Sequence, residues 1–224
     1  MNISIVIPLH NEEKYIGDVI NGLKKFNLPI VVVDDGSTDN SQLSISNFQK
    51  KNKNISVLTH KVNLGKGAAM KTGADYAFAH SADAVIFMDS DGQHEANDLS
   101  KFIKTLESKK YDVVFGTRNY SYGVPLIRFL GNKFASILMN VMFRIFVTDV
   151  LCGYRGITRN AYNKLRWESS GYGVETEIVA RTGKTKLSHC EVSVENIYHD
   201  KVKGVTILDA FGILIQVMVW TFTI

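Results

Sequence analysis

Residues 85–93, Val-Ile-Phe-Met-Asp-Ser-Asp-Gly-Gln, decide how this chain is read, because an apolar run delivers two carboxylates, Asp89 and Asp91, to the end of a predicted strand. Residues i and i+2 of an extended segment share one face. Hard cations such as Mg²⁺ or Mn²⁺ take carboxylate oxygens and leave positions for water and substrate phosphates, so the pair points to a divalent metal and a phosphorylated ligand. An acidic pair after a strand also serves as a solvated turn or a helix cap, and the pair alone does not separate these readings.

A second acidic cluster strengthens the ligand reading. Ile30 to Val33 is another apolar run, and it ends in Asp34-Asp35-Gly36-Ser37-Thr38-Asp39. A third, Ile3 to Ile7, feeds Pro8-Leu9-His10-Asn11-Glu12-Glu13, and Tyr15, Val19, Ile20 and Leu23 follow at helical spacing. The order continues with a strand at Ile55 to Leu58, a helix near Lys66 to Phe78, the strand at Ala84 to Met88 and a helix from Ala96 to Leu106. This alternation predicts an α/β fold with a mainly parallel central sheet and helices on both faces. In such sheets ligands bind beyond the carboxyl ends of the strands, where the polar clusters lie.

The 224 residues suffice for one domain with a sizeable core, and 45% hydrophobic with 21% charged residues is the composition of a folded chain rather than a disordered one. A formal charge of +4 fits anionic ligands or anionic lipid surfaces, and no nucleic-acid partner is expected. Cys152 and Cys190 are read as reduced core thiols, since two cysteines make neither a disulfide framework nor a metal-binding Cys/His spacing. Met1 leads straight into a strand without a basic region and a long apolar core, so no secretory signal is expected.

Six motifs occur in order across most of the chain: Ile7-Pro8-Leu9-His10-Asn11-Glu12-Glu13, Val33-Asp34-Asp35-Gly36-Ser37-Thr38-Asp39, Asn63-Leu64-Gly65-Lys66-Gly67, Met88-Asp89-Ser90-Asp91-Gly92-Gln93, Gly116-Thr117-Arg118 and Cys152-Gly153-Tyr154-Arg155. Together they resemble the family 2 glycosyltransferases of the GT-A fold, and more narrowly the dolichyl-phosphate or polyprenyl-phosphate sugar synthases. The resemblance implies a single GT-A domain over residues 1–224. It also implies that Pro8, His10, Glu12, Val33, Asp35, Asp89 and Ser90 hold the nucleotide of a sugar donor, with His10 standing where many relatives have Tyr.

A nucleoside diphosphate leaving group develops negative charge as the glycosidic C–O bond breaks, and a divalent cation on its oxygens stabilises that charge. Asp91 is the leading ligand for Mg²⁺ or Mn²⁺, Gln93 adds a neutral oxygen, and Asp89 reaches either the metal or the ribose. A haloacid-dehalogenase-type phosphatase also places a DxDG after an apolar strand, with the first Asp as nucleophile. There the next residue is usually Thr or Val, where this chain has Gln93, and the motif tends to open the sequence. Gly65 and Gly67 either shape a turn or let the backbone approach the donor, with Lys66 adding positive charge near a helix N-terminus. The stretch lacks the Gly-Lys-Ser/Thr ending of a P-loop.

Direct displacement by the acceptor inverts the anomeric centre. A sugar hydroxyl calls for a positioned carboxylate base, whereas a lipid phosphate is already anionic and needs cations to steer it. Arg118 and Arg155 offer the planar fork of donors that suits phosphate, and they join Asp91 in the expected catalytic set. Asp149, Glu175 and Glu177 are the candidate bases, each also readable as an ion-pair or cap residue. His199-Asp200-Lys201-Val202-Lys203-Gly204 resembles the basic segment with which the synthases contact phosphates, which assigns Lys201 and Lys203 to acceptor or donor oxygens; a solvated turn is the alternative.

Ile127, Leu130, Phe134, Ile137, Leu138, Val141 and Ile145 form one stripe at helical spacing, with Arg128, Lys133 and Arg144 off it. Residues 124–147 and the nearly apolar 205–224 are expected to be membrane-interface helices, the alternatives being core packing for the first and a dimer contact or the start of a membrane region for the second. Asp209 makes the second a poor spanning segment, since crossing a bilayer takes about 20 apolar residues. The chain is therefore expected at the cytoplasmic face of the membrane, peripherally attached. The expected reaction moves one sugar from GDP-mannose, UDP-glucose or UDP-N-acetylglucosamine to dolichyl or polyprenyl phosphate, for glycan assembly. A saccharide or glycolipid hydroxyl is the alternative acceptor. A membrane scaffold that merely retains a nucleotide site is disfavoured by the intact Asp35, Asp89 and Asp91, and a sugar-1-phosphate nucleotidyltransferase would need a Gly-rich, Arg-containing loop where Pro8 to Glu12 stand.

Overall fold

Period-two patterning in the first strand separates the two faces of the sheet: Ile3, Ile5, Ile7 and Leu9 enter one core layer and Val6 the other. The structure, a computed structural model, describes residues 1–118, 126–195, 197 and 207–224. Its elements in chain order are β1 (Ile3–Leu9), α1 (Ile16–Leu23), β2 (Ile30–Asp35), α2 (Ser41–Lys51), β3 (Ile55–His60), α3 (Lys66–Ala79), β4 (Ala84–Phe87), α4 (Leu99–Glu107), β5 (Val113–Arg118), α5 (Leu126–Phe143), β6 (Arg155–Thr158), α6 (Arg159–Leu165), α7 (Val174–Lys184), β7 (His189–Val194) and α8 (Ile207–Thr223).

The strands form one sheet in the order β3-β2-β1-β4-β6-β5-β7. Every pairing is parallel except those of β6, which runs antiparallel between β4 and β5. The mainly parallel α/β architecture is thus present, and β6 is its one reversal. Four residues are too few for a period to announce that strand in the sequence. Residues of α1 and α4 fill the layer on one face, and α3, α5, α6, α7 and α8 the layer on the other. Gly73 lets α3 lie close on β1, since a methyl there would stand 2.4 Å from Val6 Cγ1.

Strand order reverses between β1 and β4, the switch point at which open α/β sheets bind ligands. Pro8 opens that point. Met88 N–H donates to Val6 O, so the next donor from β1 toward β4 would be the nitrogen of residue 8, and a proline has no N–H to give. The strands therefore part immediately before Asp89.

Candidate active site

Three loops interlock at the carboxyl ends of β1, β2 and β3. Asn11 N–H donates to Ser37 Oγ at 3.0 Å and its Oδ1 accepts from Thr38 N–H at 2.8 Å, while Glu12 N–H donates to Ser41 Oγ at 3.0 Å. His10 Nδ1 lies 2.9 Å from the Asp35 carbonyl. Asp35 itself is buried, and its carboxylate accepts from Leu64 N–H at 2.9 Å and Gly65 N–H at 2.8 Å and meets His60 Nδ1 at 2.7 Å. It ties the 62–65 loop to β2. The side chain of Val33 is fully buried in the core with α3 residues Ala69 and Met70, which leaves its main chain as the part open to the expected nucleotide contact. Pro8 and Ser90 are buried; His10 and Glu12 are partly exposed.

Gly65 and Gly67 earn their place through packing against protein. A methyl on Gly65 would stand 2.5 Å from Ser170 O, and one on Gly67 2.1 Å from Ser169 O. Trp167 Nε1 donates to Gly67 O at 3.0 Å, and Ala68 N–H to Ser170 O at 3.1 Å. The close approach that the glycines permit is thus to the 167–170 segment, which corrects the expectation of an approach to the donor. It also fixes Lys66 as the first residue of α3.

Lys66 reaches between two acidic side chains, with Nζ 2.6 Å from Asp89 Oδ1 and 2.6 Å from Glu175 Oε1. Burial alone would lift the Asp89 carboxyl, but the Lys66 ammonium and His94 outweigh it and hold Asp89 well below the usual range. Asp91 goes the other way: burial and the neighbouring Asp89 charge raise it, although Gln93 N–H donates to its Oδ1 at 3.0 Å. Gly153 presses on this pair, since a methyl there would lie 2.2 Å from Asp89 Oδ2.

The donor set fits a divalent cation. Among the described residues no three His, Cys, Asp or Glu side chains converge as a complete cage. What the chain offers is an all-oxygen pair, in which Asp91 has its charge opposed by Asp89 and unpaired with any Lys or Arg among the described residues. Mg²⁺ and Mn²⁺ accept such a partial shell and complete it with water and phosphate oxygens. Asp91, with Gln93 and Asp89 beside it, would hold the ion.

Arg118, at the end of β5, clasps the fully buried Asp149 with Nε at 2.6 Å from Oδ2 and Nη2 at 2.8 Å from Oδ1. Arg155 departs from its expected role as a phosphate ligand. Its side chain is 0% exposed, donates to Cys152 O at 2.8 Å, Glu175 O at 2.5 Å and Val150 O at 2.5 Å, and lies over the Phe115 ring. It braces the backbone of Glu175, which in turn holds Lys66. Glu177 accepts from Glu168 N–H, Ser169 N–H and Arg181 at 2.6–2.8 Å and so secures the segment against which Gly67 packs. His199, Lys201, Lys203 and Thr206 lie outside the described residues.

Two features escaped the sequence. His94 is buried, 3.4 Å from Asp89, with Nδ1 lacking a partner among the described residues; its place directly after Gln93 was the available signal. Glu175 was legible as a candidate base but not as the second anchor of Lys66, because no spacing rule links α7 to the start of α3.

The expected interface helices carry outward apolar stripes. On α5 these are Leu130, Phe134, Ile137 and Val141, while Asn132 and Ser136 turn inward, Asn132 donating to Thr148 O and accepting from Val150 N–H. Ile145, expected on the stripe, is buried beyond the end of the helix, where the chain leaves the helical path at Arg144. On α8, Ile215, Met218, Val219 and Phe222 face outward and Val217 and Trp220 inward. Among the described residues no helix is long and apolar enough to cross a membrane.

Comparison with known proteins agrees with this geometry. An uncharacterised protein of Methanocaldococcus jannaschii is 36% identical over 204 residues, spanning 88% of each chain. The UDP-N-acetylglucosamine–dolichyl-phosphate N-acetylglucosaminyltransferase of Methanococcus voltae is 29% identical over 237 residues, spanning 96% of this chain and 94% of its own. Glucosyl-3-phosphoglycerate synthase from Mycobacterium tuberculosis, crystallised with Mn²⁺, UDP-glucose and phosphoglyceric acid, superimposes with a TM-score of 0.71 at 19% identity over 99% of this chain and 79% of its own, which shows the GT-A fold. The sequence model of "Glycosyl transferase family 2" matches residues 4–166, which hold the interlocked loops, the Asp89–Asp91 pair and Arg118, and the chain therefore belongs to glycosyltransferase family 2.

Proposed function

We propose that this chain is a metal-dependent, inverting transferase that moves a single sugar from a nucleotide-sugar donor to dolichyl or another polyprenyl phosphate, attached peripherally at the cytoplasmic face of the membrane. The observation that carries the acceptor class is the commitment of the three candidate bases. Asp149 is clasped by Arg118, Glu175 by Lys66, and Glu177 by Arg181 and two main-chain N–H groups. A hydroxyl acceptor needs a carboxylate ready to take its proton, whereas a phosphate arrives already ionised. The dolichyl-phosphate substrate in the name of the Methanococcus voltae relative supports the same class, and its donor makes UDP-N-acetylglucosamine the first to test, before UDP-glucose and GDP-mannose.

Mg²⁺ or Mn²⁺ at Asp91 would supply charge neutralisation for the departing diphosphate. Lys66, at the amino end of α3, adds its ammonium and the helix terminus to the same region. Arg118 presents a guanidinium at the end of β5 for the acceptor phosphate, with Lys201 and Lys203 assigned to further phosphate contacts. The outward stripes of α5 and α8 support attachment at a membrane surface.

The test is incubation of the solubilised protein with dolichyl phosphate, Mn²⁺ or Mg²⁺ and each nucleotide sugar, followed by extraction of lipid-linked sugar. Product from one donor, requiring the phosphate on the polyprenol, is expected. Donor consumption without lipid product would move the acceptor to a saccharide or glycolipid hydroxyl.

A further inference from the structure

Far from the reaction site, the carboxy-terminal ends of α5 and α7 flank an open surface hollow of about 520 Å³. Its wall carries Arg144, Lys184, Lys186 and His189, its floor includes Phe143 and Leu187, and no Asp or Glu lines it. Arg144, Lys184 and Lys186 are exposed and form no ion pair among the described residues; Lys184 Nζ donates to Thr221 O at 3.2 Å, which joins the rim to α8. A helix carboxyl end favours one nearby cation, but here Arg144 after α5, Lys184 at the end of α7 and Lys186 in the turn beyond it converge on one concavity. Arg144 and Lys186 also hold left-handed backbone, with φ of 54° and 52°, where glycine is the favoured residue.

The surroundings identify the ligand class. The apolar stripe of α5 runs to this rim, ending with Val141 at 71% exposure, and the stripe of α8 ends beside it with Phe222 at 86%. A cationic hollow at the end of the α5 stripe, with α8 tied to its rim through Lys184, matches a molecule with an anionic head and an apolar body. The acceptor phosphate is not that molecule, because β5 and β7 pair from Val113↔His189 to Arg118↔Val194. The cavity therefore lies at the amino ends of the strands, roughly 16 Å along the sheet from Arg118.

We propose that this cavity binds the phosphate headgroup of an anionic glycerophospholipid while the stripes of α5 and α8 rest in the bilayer surface. The site rests on the membrane attachment proposed above and gives it an orientation. α5 lies along the bilayer, its carboxyl end anchored by a resident lipid.

The test compares co-sedimentation of the full chain with phosphatidylcholine vesicles, with and without phosphatidylglycerol. Tighter binding to the phosphatidylglycerol vesicles is expected. In Arg144→Gln/Lys184→Gln/Lys186→Gln that gain should fall by about five-fold per cation removed. The same charge change in Lys50→Gln/Lys51→Gln/Lys53→Gln, all exposed and outside the cavity, should leave it intact. Equal binding to the two vesicle types, or equal losses in the two triple variants, would overturn the site and leave only diffuse charge. Sugar transfer to detergent-solubilised polyprenyl phosphate, measured on the same preparations, separates the two readings. Absent transfer with intact phosphatidylglycerol preference overturns the acceptor assignment alone, and intact transfer without the preference overturns the cavity alone.

Discussion

Lys66 Nζ and Asp89 Oδ1 meet at 2.6 Å, and the contact divides the labour of the acidic pair. Asp89 has a buried cation of its own and stays ionised; Asp91 lacks one and is raised by burial and by Asp89. Paired carboxylates whose environments push them apart take different roles. In the proposed metal site Asp91 would gain most from a divalent cation, while Asp89 holds Lys66.

Asp91→Asn preserves the shape of the side chain and removes its charge. Transfer should fall on the order of 100-fold or more, with a higher Mn²⁺ requirement for what remains. Turnover close to that of the unaltered chain across a Mn²⁺ titration would remove Asp91 from the metal site.

Glu175→Gln tests the anchor. Lys66 keeps Asp89 but loses its second charged partner, so the donor KM should rise several-fold and stability should drop by roughly 1–3 kcal/mol. A collapse of kcat with a new pH dependence, at unchanged donor KM, would instead make Glu175 a general base.

Gly153→Ala places a methyl 2.2 Å from Asp89 Oδ2, and the carboxylate must move. Displacement on the ångström scale at a reacting centre costs on the order of 100-fold, so kcat should fall while the far-ultraviolet circular dichroism is kept. Full activity would mean that Asp89 tolerates displacement.

The two arginines should separate cleanly. Arg155→Met leaves three main-chain carbonyls without their donor in the core and should cost roughly 3–5 kcal/mol in urea unfolding. Arg118→Lys keeps a cation on buried Asp149 but loses the fork, and should raise the KM for polyprenyl phosphate roughly ten-fold. An unchanged acceptor KM would take Arg118 out of the acceptor site.

Glu177 gives the acid limb of stability. Burial opposes its charge, but hydrogen bonds from Ser169, Glu168 N–H and Arg181 win and lower its pKa from the ordinary 4.5. A lowered folded value stabilises above the unfolded pKa and is lost as pH falls through the folded one. The stability gap between the unaltered chain and Glu177→Gln should therefore be full at neutral pH and close progressively in acid below 4.5, as followed by urea midpoints. A gap constant across that range would show that the ionised form carries none of it.

Strands β1 to β4, the acidic clusters at their ends and the Asp89–Asp91 pair were legible in the sequence because each depends on local periodicity. An apolar run makes a buried strand, and residues i and i+2 at its end share a face wherever it packs. The same logic brought Asp89 and Asp91 to the end of β4 but did not foresee that the Arg155 side chain is fully buried, since a motif names a residue without saying whether it faces the cleft or the core. It also offered a turn or room for the donor at Gly65 and Gly67, when the neighbour they admit is Ser169–Ser170. Sequence periodicity alone determined the first four strands and where carboxylates would gather; β5, β6 and β7 were not announced by it. The tertiary structure alone decided which charges were already paired, because Lys66 with Glu175, Arg118 with Asp149 and Arg155 with the Glu175 carbonyl meet across long stretches of chain whose closure no local spacing encodes.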